Sequence, residues 1–403
     1  MKSTTVFVKF TKLAAKDGAM KTLAVINGTI YKVGGARPVK GNVVIRGGKV
    51  VAAGARVKVP RGAKVLDAKG FVVTPGLIDA HTHLGNYGEG TGPPGFDANE
   101  AVEAATPHVR ALDGVDPRDL GFEDARRAGI TAVCVLPGSA NVIGGTGVIV
   151  KTAGSIIDEM VVRADAGMKI AFGENPKFSH PNERRMPVTR MGTAAVLREM
   201  LAKAAEYGRK RRLPADKRTD FDIRMEPLVD VLAGKMPLRA HAHRADDIAT
   251  AVRVAREFKC RLISDHCTEG YLIADFLAAH EVPCVVGPSL IGRFKQELRQ
   301  RSYEAAGILE KAGCAVALTT DHPFLPIDTL ITSAATAARE GMSPEGAMRA
   351  VTDGAADLLG LGKRLGKLAP GYDGDVAVWT EHPLESRAKV VATIVDGEVV
   401  YEA

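Results

Sequence analysis

The stretch Thr74-Pro75-Gly76-Leu77-Ile78-Asp79-Ala80-His81-Thr82-His83 decides how this 403-residue chain is read. A Pro-Gly turn signal opens a short apolar run, and the run ends in two histidines two residues apart. Side chains alternate along a strand, so both imidazoles face the same side. The pattern recurs downstream. His241-Ala242-His243 closes the apolar run 237–242, Asp265-His266 closes 261–265, and Thr319-Thr320-Asp321 closes 315–320. Reactive groups gathered at the C-terminal ends of strands are the arrangement of a (β/α)8 barrel.

Working outward, residues 74–370 alternate apolar strand-like runs with amphipathic helical stretches, which predicts parallel strands joined by helical crossovers. The runs are 77–80, 130–136, a poorly defined one between 147 and 162, then 168–172, 237–242, 261–265, 282–286 and 315–320. A doubly wound open sheet is the alternative, but no G-x-G-x-x-G follows a strand near a helix start. On either side the texture changes. Residues 23–73 form short strands separated by glycines, and 377–401 repeat that texture around an Asp396-Gly397 hairpin turn. Neither flank is long enough for a good core alone. The expected fold is therefore an α/β (β/α)8 TIM barrel over 74–370, with a small β-sandwich built from 20–73 and 371–403. Met20 opens the first strand pattern, so residues 1–19 are read as an N-terminal extension.

Composition excludes several function classes. Hydrophobic and charged fractions of 46% and 25% are those of an ordinary globular chain. The net charge of +7 is spread along the sequence. Its densest run, Arg209-Lys210-Arg211-Arg212, lacks interleaved aromatics and reads as a solvated helix end, not a nucleic-acid patch. No apolar stretch approaches the ~18 residues of a membrane span. Cys134, Cys260, Cys267, Cys284 and Cys314 form an odd set without a C-x-x-C pair, which predicts free thiols and a cytoplasmic location.

Neutral imidazole and carboxylate are the ligands of zinc, iron, manganese or nickel. One histidine at a strand end is ordinarily a hydrogen-bonded structural residue. Recurrence at strand ends alone outweighs that reading for the set. Residues 74–83, with the later His, His and Asp in order, resemble the signature of the amidohydrolase superfamily. The resemblance runs over essentially the whole chain from Met20 and is nearest the imidazolonepropionase-like and prolidase-like (dipeptidase-like) branch. It implies that His81, His83 and Asp321 bind the more buried metal, and that His241 and His266 bind a second. The bridging ligand would come from the fourth strand. Lys169 resembles the lysine carboxylated to N6-carboxylysine in dipeptidase-like members, and strand parity turns it inward. Glu174 resembles the direct carboxylate bridge of sugar-amide deacetylases. One or two divalent ions are expected, zinc first.

His243 stands one step nearer the mouth than His241, as a substrate contact or proton shuttle, with a supporting role for the metal ligands as the alternative. Arg244, Arg184, Arg185 and Arg293 fall in or near strand-end loops and are candidates to clamp a substrate carboxylate, although surface salt bridges are the ordinary fate of such residues. The glycine-rich stretch 137–147, containing Asn141, reads as a pocket-lining turn, and the long segment 85–117 as a lid or specificity loop. The chemistry implied is attack of a metal-bound hydroxide on an amide, cyclic amide or dipeptide carbonyl, with Asp321 moving the proton to the leaving nitrogen. Deamination or lactone hydrolysis uses the same site, and a non-enzymatic scaffold like the dihydropyrimidinase-like proteins is the remaining alternative. A homo-oligomer acting on a small molecule is expected.

Overall fold

A computed structural model describes residues 21–33, 37–179 and 185–403. The expected extension 1–19, the proposed start at Met20, and Arg184 lie outside the described residues. Two sheets organise the chain. The first is built from β1 (Thr22–Ile30), β2 (Val39–Arg46), β3 (Lys49–Gly54), β4 (Lys64–Asp67) and β5 (Val72–Pro75), together with the last three strands. The second contains β6 (Leu77–Thr82), β7 (Ile130–Val135), β8 (Ile143–Lys151), β9 (Val161–Ala171), β10 (Leu238–Ala242), β11 (Leu262–His266), β12 (Cys284–Val286) and β13 (Val316–Leu318). The chain then returns to the first sheet with β14 (Val376–Trp379), β15 (Val390–Val395) and β16 (Glu398–Glu402).

The second sheet runs in sequence order from β6 to β13 and nearly closes into a barrel. Two edge strands left open would strand backbone donors and acceptors. Here the seam between β13 and β6 is filled from elsewhere. The amide of Ile78 donates to the Val351 carbonyl at 2.8 Å, and that of Leu318 to the Ala350 carbonyl at 3.0 Å. Nearer the mouth, the Asp79 carboxylate accepts from the Thr320 amide (3.0 Å) and hydroxyl (2.7 Å). Side chains alternate between two cores. Ile78, Ala80, Cys134, Ile263, Val285 and Ala317 belong to one cluster, while Leu77, Val133, Ile170, Phe172, Cys284 and Val286 belong to another that includes residues of the surrounding helices.

One strand departs from the parallel plan. β8 pairs antiparallel with both β7 and β9. The cause is the short connection between Val135 and Ile143, which contains no helix. A parallel crossover needs a dozen or more residues, whereas a return of this length makes a hairpin. The poorly defined third run is therefore Ile143–Lys151, and it begins inside the glycine-rich stretch that reads as a turn. Only the first half of that stretch is loop.

The first sheet is one continuous surface in the order β16-β15-β14-β5-β1-β2-β3, with β4 also on β1. The small β-sandwich expected from the two chain ends is hydrogen-bonded as one branched sheet around its own apolar core: β1 pairs β4 in its first half and β5 in its second. β14 pairs β5, which joins the two chain ends. Two contacts fasten this sheet to the barrel. Trp379, on β14, is buried in the apolar cluster that contains the barrel strands and helices, and its indole N–H donates to Thr74 Oγ1 of the neighbouring β5 at 3.0 Å. Lys151, at the end of β8, lies within 3.0 Å of Asp373, Asp375 and Asp396. Among the described residues no helix is long and apolar enough to cross a membrane.

Candidate metal centre

His81 and His83 leave the end of β6, His241 and His243 the end of β10, His266 the end of β11, and Asp321 follows β13. Parallel strands carry all six to one mouth. There they form two clusters, His81 with His83 and Asp321, and His241 with His243 and His266. Within each cluster the potential ligand atoms lie within 4.8 Å of one another. His81 Nε2 is 3.5 Å and His83 Nε2 3.4 Å from Asp321 Oδ1. The clusters touch, since the His81 and His266 ring centroids are 4.7 Å apart.

The rings are oriented from behind. His83 Nδ1 donates to the Leu136 carbonyl at 2.8 Å and His266 Nδ1 to that of Gly287 at 3.0 Å. His243 Nδ1 pairs with the Thr268 hydroxyl at 2.8 Å. A ring whose Nδ1 is committed in this way offers Nε2 as a lone-pair ligand. Burial holds His81, His241, His243 and His266 well below the usual histidine value, so their imidazoles are neutral at physiological pH. Buried polar atoms ordinarily have partners. Asp321 Oδ1 and His266 Nε2 have no hydrogen-bond partner. These orphaned atoms, in two converging nitrogen and oxygen sets, fit a divalent metal. The backbone is strained here as well: His266, Cys267 and Asp321 hold φ of 69°, 49° and 55° without being glycine.

Lys169, on β9, is fully buried and turns into the barrel, with Nζ 3.2 Å from His81 Nε2. Desolvation pulls its ammonium down to about 8, against the attraction of Asp265 and Asp321. Glu174 instead begins a short helix, Glu174–Phe178. It belongs to neither ligand cluster and does not line the cavity at the mouth. Its amide donates to Glu297 Oε1 at 2.5 Å.

The remaining expected contacts lie elsewhere. Arg244 forms a two-pronged pair with Asp246, at 2.9 Å for each bond, and does not line the cavity. Arg185 donates to carbonyls of Ala101 and Val102, and Arg293 to those of Arg299 and Arg301. Asn141 is buried, and its Nδ2 holds the Glu100 carbonyl at 2.7 Å and Thr106 Oγ1 at 2.8 Å. It anchors the segment 85–117 to the barrel mouth and does not line the cavity. Backbone bridges from Ala105 and Arg110 to β8 also tie that segment down.

The cavity has a volume of about 120 Å³, and His83, His241, His243, His266 and Asp321 are at its polar end. Its other walls include Ser139, Asn175, Lys295, Phe294 and Phe324. Ser139 falls in the stretch 137–147 that reads as a pocket-lining turn. Asn175, on the short helix Glu174–Phe178, and Lys295, Phe294 and Phe324 belong to no spaced motif, so only the fold brings them to the mouth.

Comparison with known proteins follows the same lines. Residues 164–401 match the amidohydrolase family. The chain is 29% identical over 384 residues to the amidohydrolase tasK of Hapsidospora irregularis. That match covers 86% of this chain but only 38% of the relative, so the chain spans about two-fifths of that protein's length. An imidazolonepropionase of Vibrio vulnificus is 25% identical over 371 residues, covering 83% of this chain and 86% of its own. The crystal structure of an amidohydrolase from Thermotoga maritima superposes with a TM-score of 0.91 at 41% identity, covering 94% of this chain and all of that one. A prolidase complexed with N-methylphosphonate-L-proline shares the fold, with a TM-score of 0.62 at 17% identity.

Proposed function

The chain belongs to the amidohydrolase family, hydrolases of carbon–nitrogen bonds, and from that premise we propose that it hydrolyses an amide, cyclic amide or dipeptide bond at the barrel mouth. The observation that carries the reading is the pair of converging ligand clusters with the orphaned Asp321 Oδ1 and His266 Nε2. His81, His83 and Asp321 would hold one divalent ion, zinc first. His241 and His266 would hold a second, with His243 beside them as a further ligand or as a substrate contact.

When bound, such an ion supplies Lewis acidity and ionises water near neutrality instead of at its bulk value of ~15.7. The protein's own groups do the rest. Asp321 lies at the cavity wall, where its carboxylate can take a proton from the attacking water and return it to the leaving nitrogen. His243 is held by Thr268 with its ring stacked 4.9 Å from His266. In the tautomer whose Nδ1 accepts from the Thr268 hydroxyl, its Nε2–H can donate a hydrogen bond to the carbonyl oxygen; in the other, Nε2 is a lone-pair ligand. Lys169 would bridge the two ions as its carboxylate. Its depressed pKa supports that reading, because only the neutral amine adds carbon dioxide.

The test is elemental analysis of purified protein beside a screen of amides, cyclic amides and dipeptides. Bound divalent metal, lost in His81→Ala together with hydrolysis, is the expected result. Protein that binds no divalent ion after reconstitution would leave the reading without support.

A further inference from the structure

The segment between β12 and the next helix, 287–304, folds over the mouth and delivers Lys295 to the cavity wall. Among the described residues Lys295 is the only cation that lines this cavity. Of the described arginines that the sequence offers for that purpose, Arg244 is turned to Asp246, and Arg185 and Arg293 to loop carbonyls. Lys295 is held in place from two sides. Its Nζ lies 3.3 Å from Glu297 Oε2 and 3.4 Å from Asn175 Oδ1. Asn175 in turn donates to Ser139 Oγ at 2.7 Å and stands 3.4 Å from His241 Nε2. The ammonium therefore sits on the His241–His243 side of the centre.

Glu297 is fully buried and fixes the ammonium, while its Oε1 accepts from the Glu174 amide. Glu297 and Asn175 occupy two of the three donors of the ammonium, which leaves the third for a ligand in the cavity that Lys295 lines. The His83 side has a different character: Phe324 lines the cavity there, and Tyr87 and Phe96 continue the aromatic surface beyond it. Phe324 stands 6.2 Å from the His83 ring, and Tyr87 packs on Phe96 at 4.7 Å and on Phe324 at 6.1 Å. Phe96 and Phe324 are 47% and 49% exposed, so with Tyr87 between them they present an apolar surface beside the cavity.

We propose that Lys295 is the specificity-determining residue of the site. It receives the carboxylate of the amine half of an N-acyl amino acid or dipeptide, and the Tyr87–Phe96–Phe324 wall takes an aromatic or apolar acyl half. This rests on the hydrolase reading above. The ligand atoms between the two walls then face the scissile bond. Glu297 is a positioning residue, since it acts through Lys295.

The experiment compares N-phenylacetylglycine and Phe-Gly, each beside its C-terminal amide, on the metal-loaded enzyme. In Lys295→Met, kcat/KM for the two acids falls roughly 10- to 100-fold, mostly in KM, as expected for one charge-assisted contact. The two amides change by less than about threefold on the same scale, and Lys295→Arg recovers most of the loss. An equal fall for acids and amides, or no fall for the acids, overturns the assignment. Calorimetric binding of the two acids separates this inference from the reaction itself. Lys295-dependent binding without turnover keeps the carboxylate site and removes the hydrolase reading. Absence of acid binding, or acid binding indifferent to Lys295→Met, removes the carboxylate site.

Discussion

Arg239 and Asp265 form a two-pronged ion pair, sealed from solvent, beside His81. The bonds are Nε–Oδ2 at 3.0 Å and Nη2–Oδ1 at 2.5 Å, and both side chains are completely buried. Asp265 Oδ1 also lies 3.1 Å from His81 Nδ1. Removing one partner of a buried pair leaves the other as an uncompensated charge and costs about 3–5 kcal/mol. Arg239→Met should lose that much in urea denaturation. It should also weaken metal binding roughly 10- to 100-fold, because the carboxylate behind His81 loses its anchor. Unchanged metal affinity would show that Asp265 plays no part in orienting His81.

Lys169 gives a prediction independent of turnover. Wild-type protein incubated with ¹³C-bicarbonate and zinc should show a lysine carbamate carbon in the NMR spectrum. Lys169→Met should lack that signal and should bind fewer metal ions per chain. Full metal content in Lys169→Met would assign the bridge elsewhere, and Glu174→Ala would be the next variant to analyse.

The three aspartates around Lys151 should respond differently to pH. Burial alone would raise Asp373, but Lys151, Lys49 and Arg364 more than offset it and hold its pKa below the ordinary 3.8. Its contribution to stability is therefore present above pH 3.8 and is lost as the pH falls through its folded value. Asp375 runs the other way, raised by burial and by its neighbour Asp396 despite Lys151. Its contribution is present at low pH and is lost as the pH rises through the raised value. At neutral pH, Asp373→Asn should destabilise more than Asp375→Asn in urea melts, and the gap should narrow at about pH 3.5. A gap of the same size at both pH values would contradict the assignment.

Asn141 ties the segment 85–117 to the barrel through Glu100 and Thr106. Asn141→Ala leaves the Glu100 carbonyl and the Thr106 hydroxyl without that donor, at a cost of about 1–3 kcal/mol. Hydrogen exchange should speed up over residues 97–110 while β9 and β10 stay protected. Uniform loss of protection would mean that the segment does not open separately.

Much of this was legible in the sequence because the informative residues sit at strand ends. Residues 74–83 pointed to His81 and His83, and the apolar runs before His241, His266 and Asp321 pointed to the other members of the two clusters at the mouth. Parity along β9 turned Lys169 inward, with Ile170 and Phe172 in the outer core. What escaped had physical reasons. β8 is so rich in glycine at its start that it reads as a turn, and its direction follows from the length of a connection, not from its own residues. Arg244 pairs with Asp246 two residues on, a local contact that no spacing rule anticipates. Arg239 carries no motif of its own, and only the closed barrel brings it against Asp265 and Cys134. Lys295 and Asn175 meet across 120 positions, and only the fold brings them together.

The reversal of β8 also bears on how the barrel is tied to the terminal sheet. Because β8 runs downward, it ends with Lys151 beside the terminal sheet, and all three carboxylates that face it come from the last 31 residues. Without residues 373–402, Lys151 lacks its three carboxylates and β5 lacks one hydrogen-bonding neighbour. Strands β14 to β16 therefore act as a latch between the two ends of the described chain.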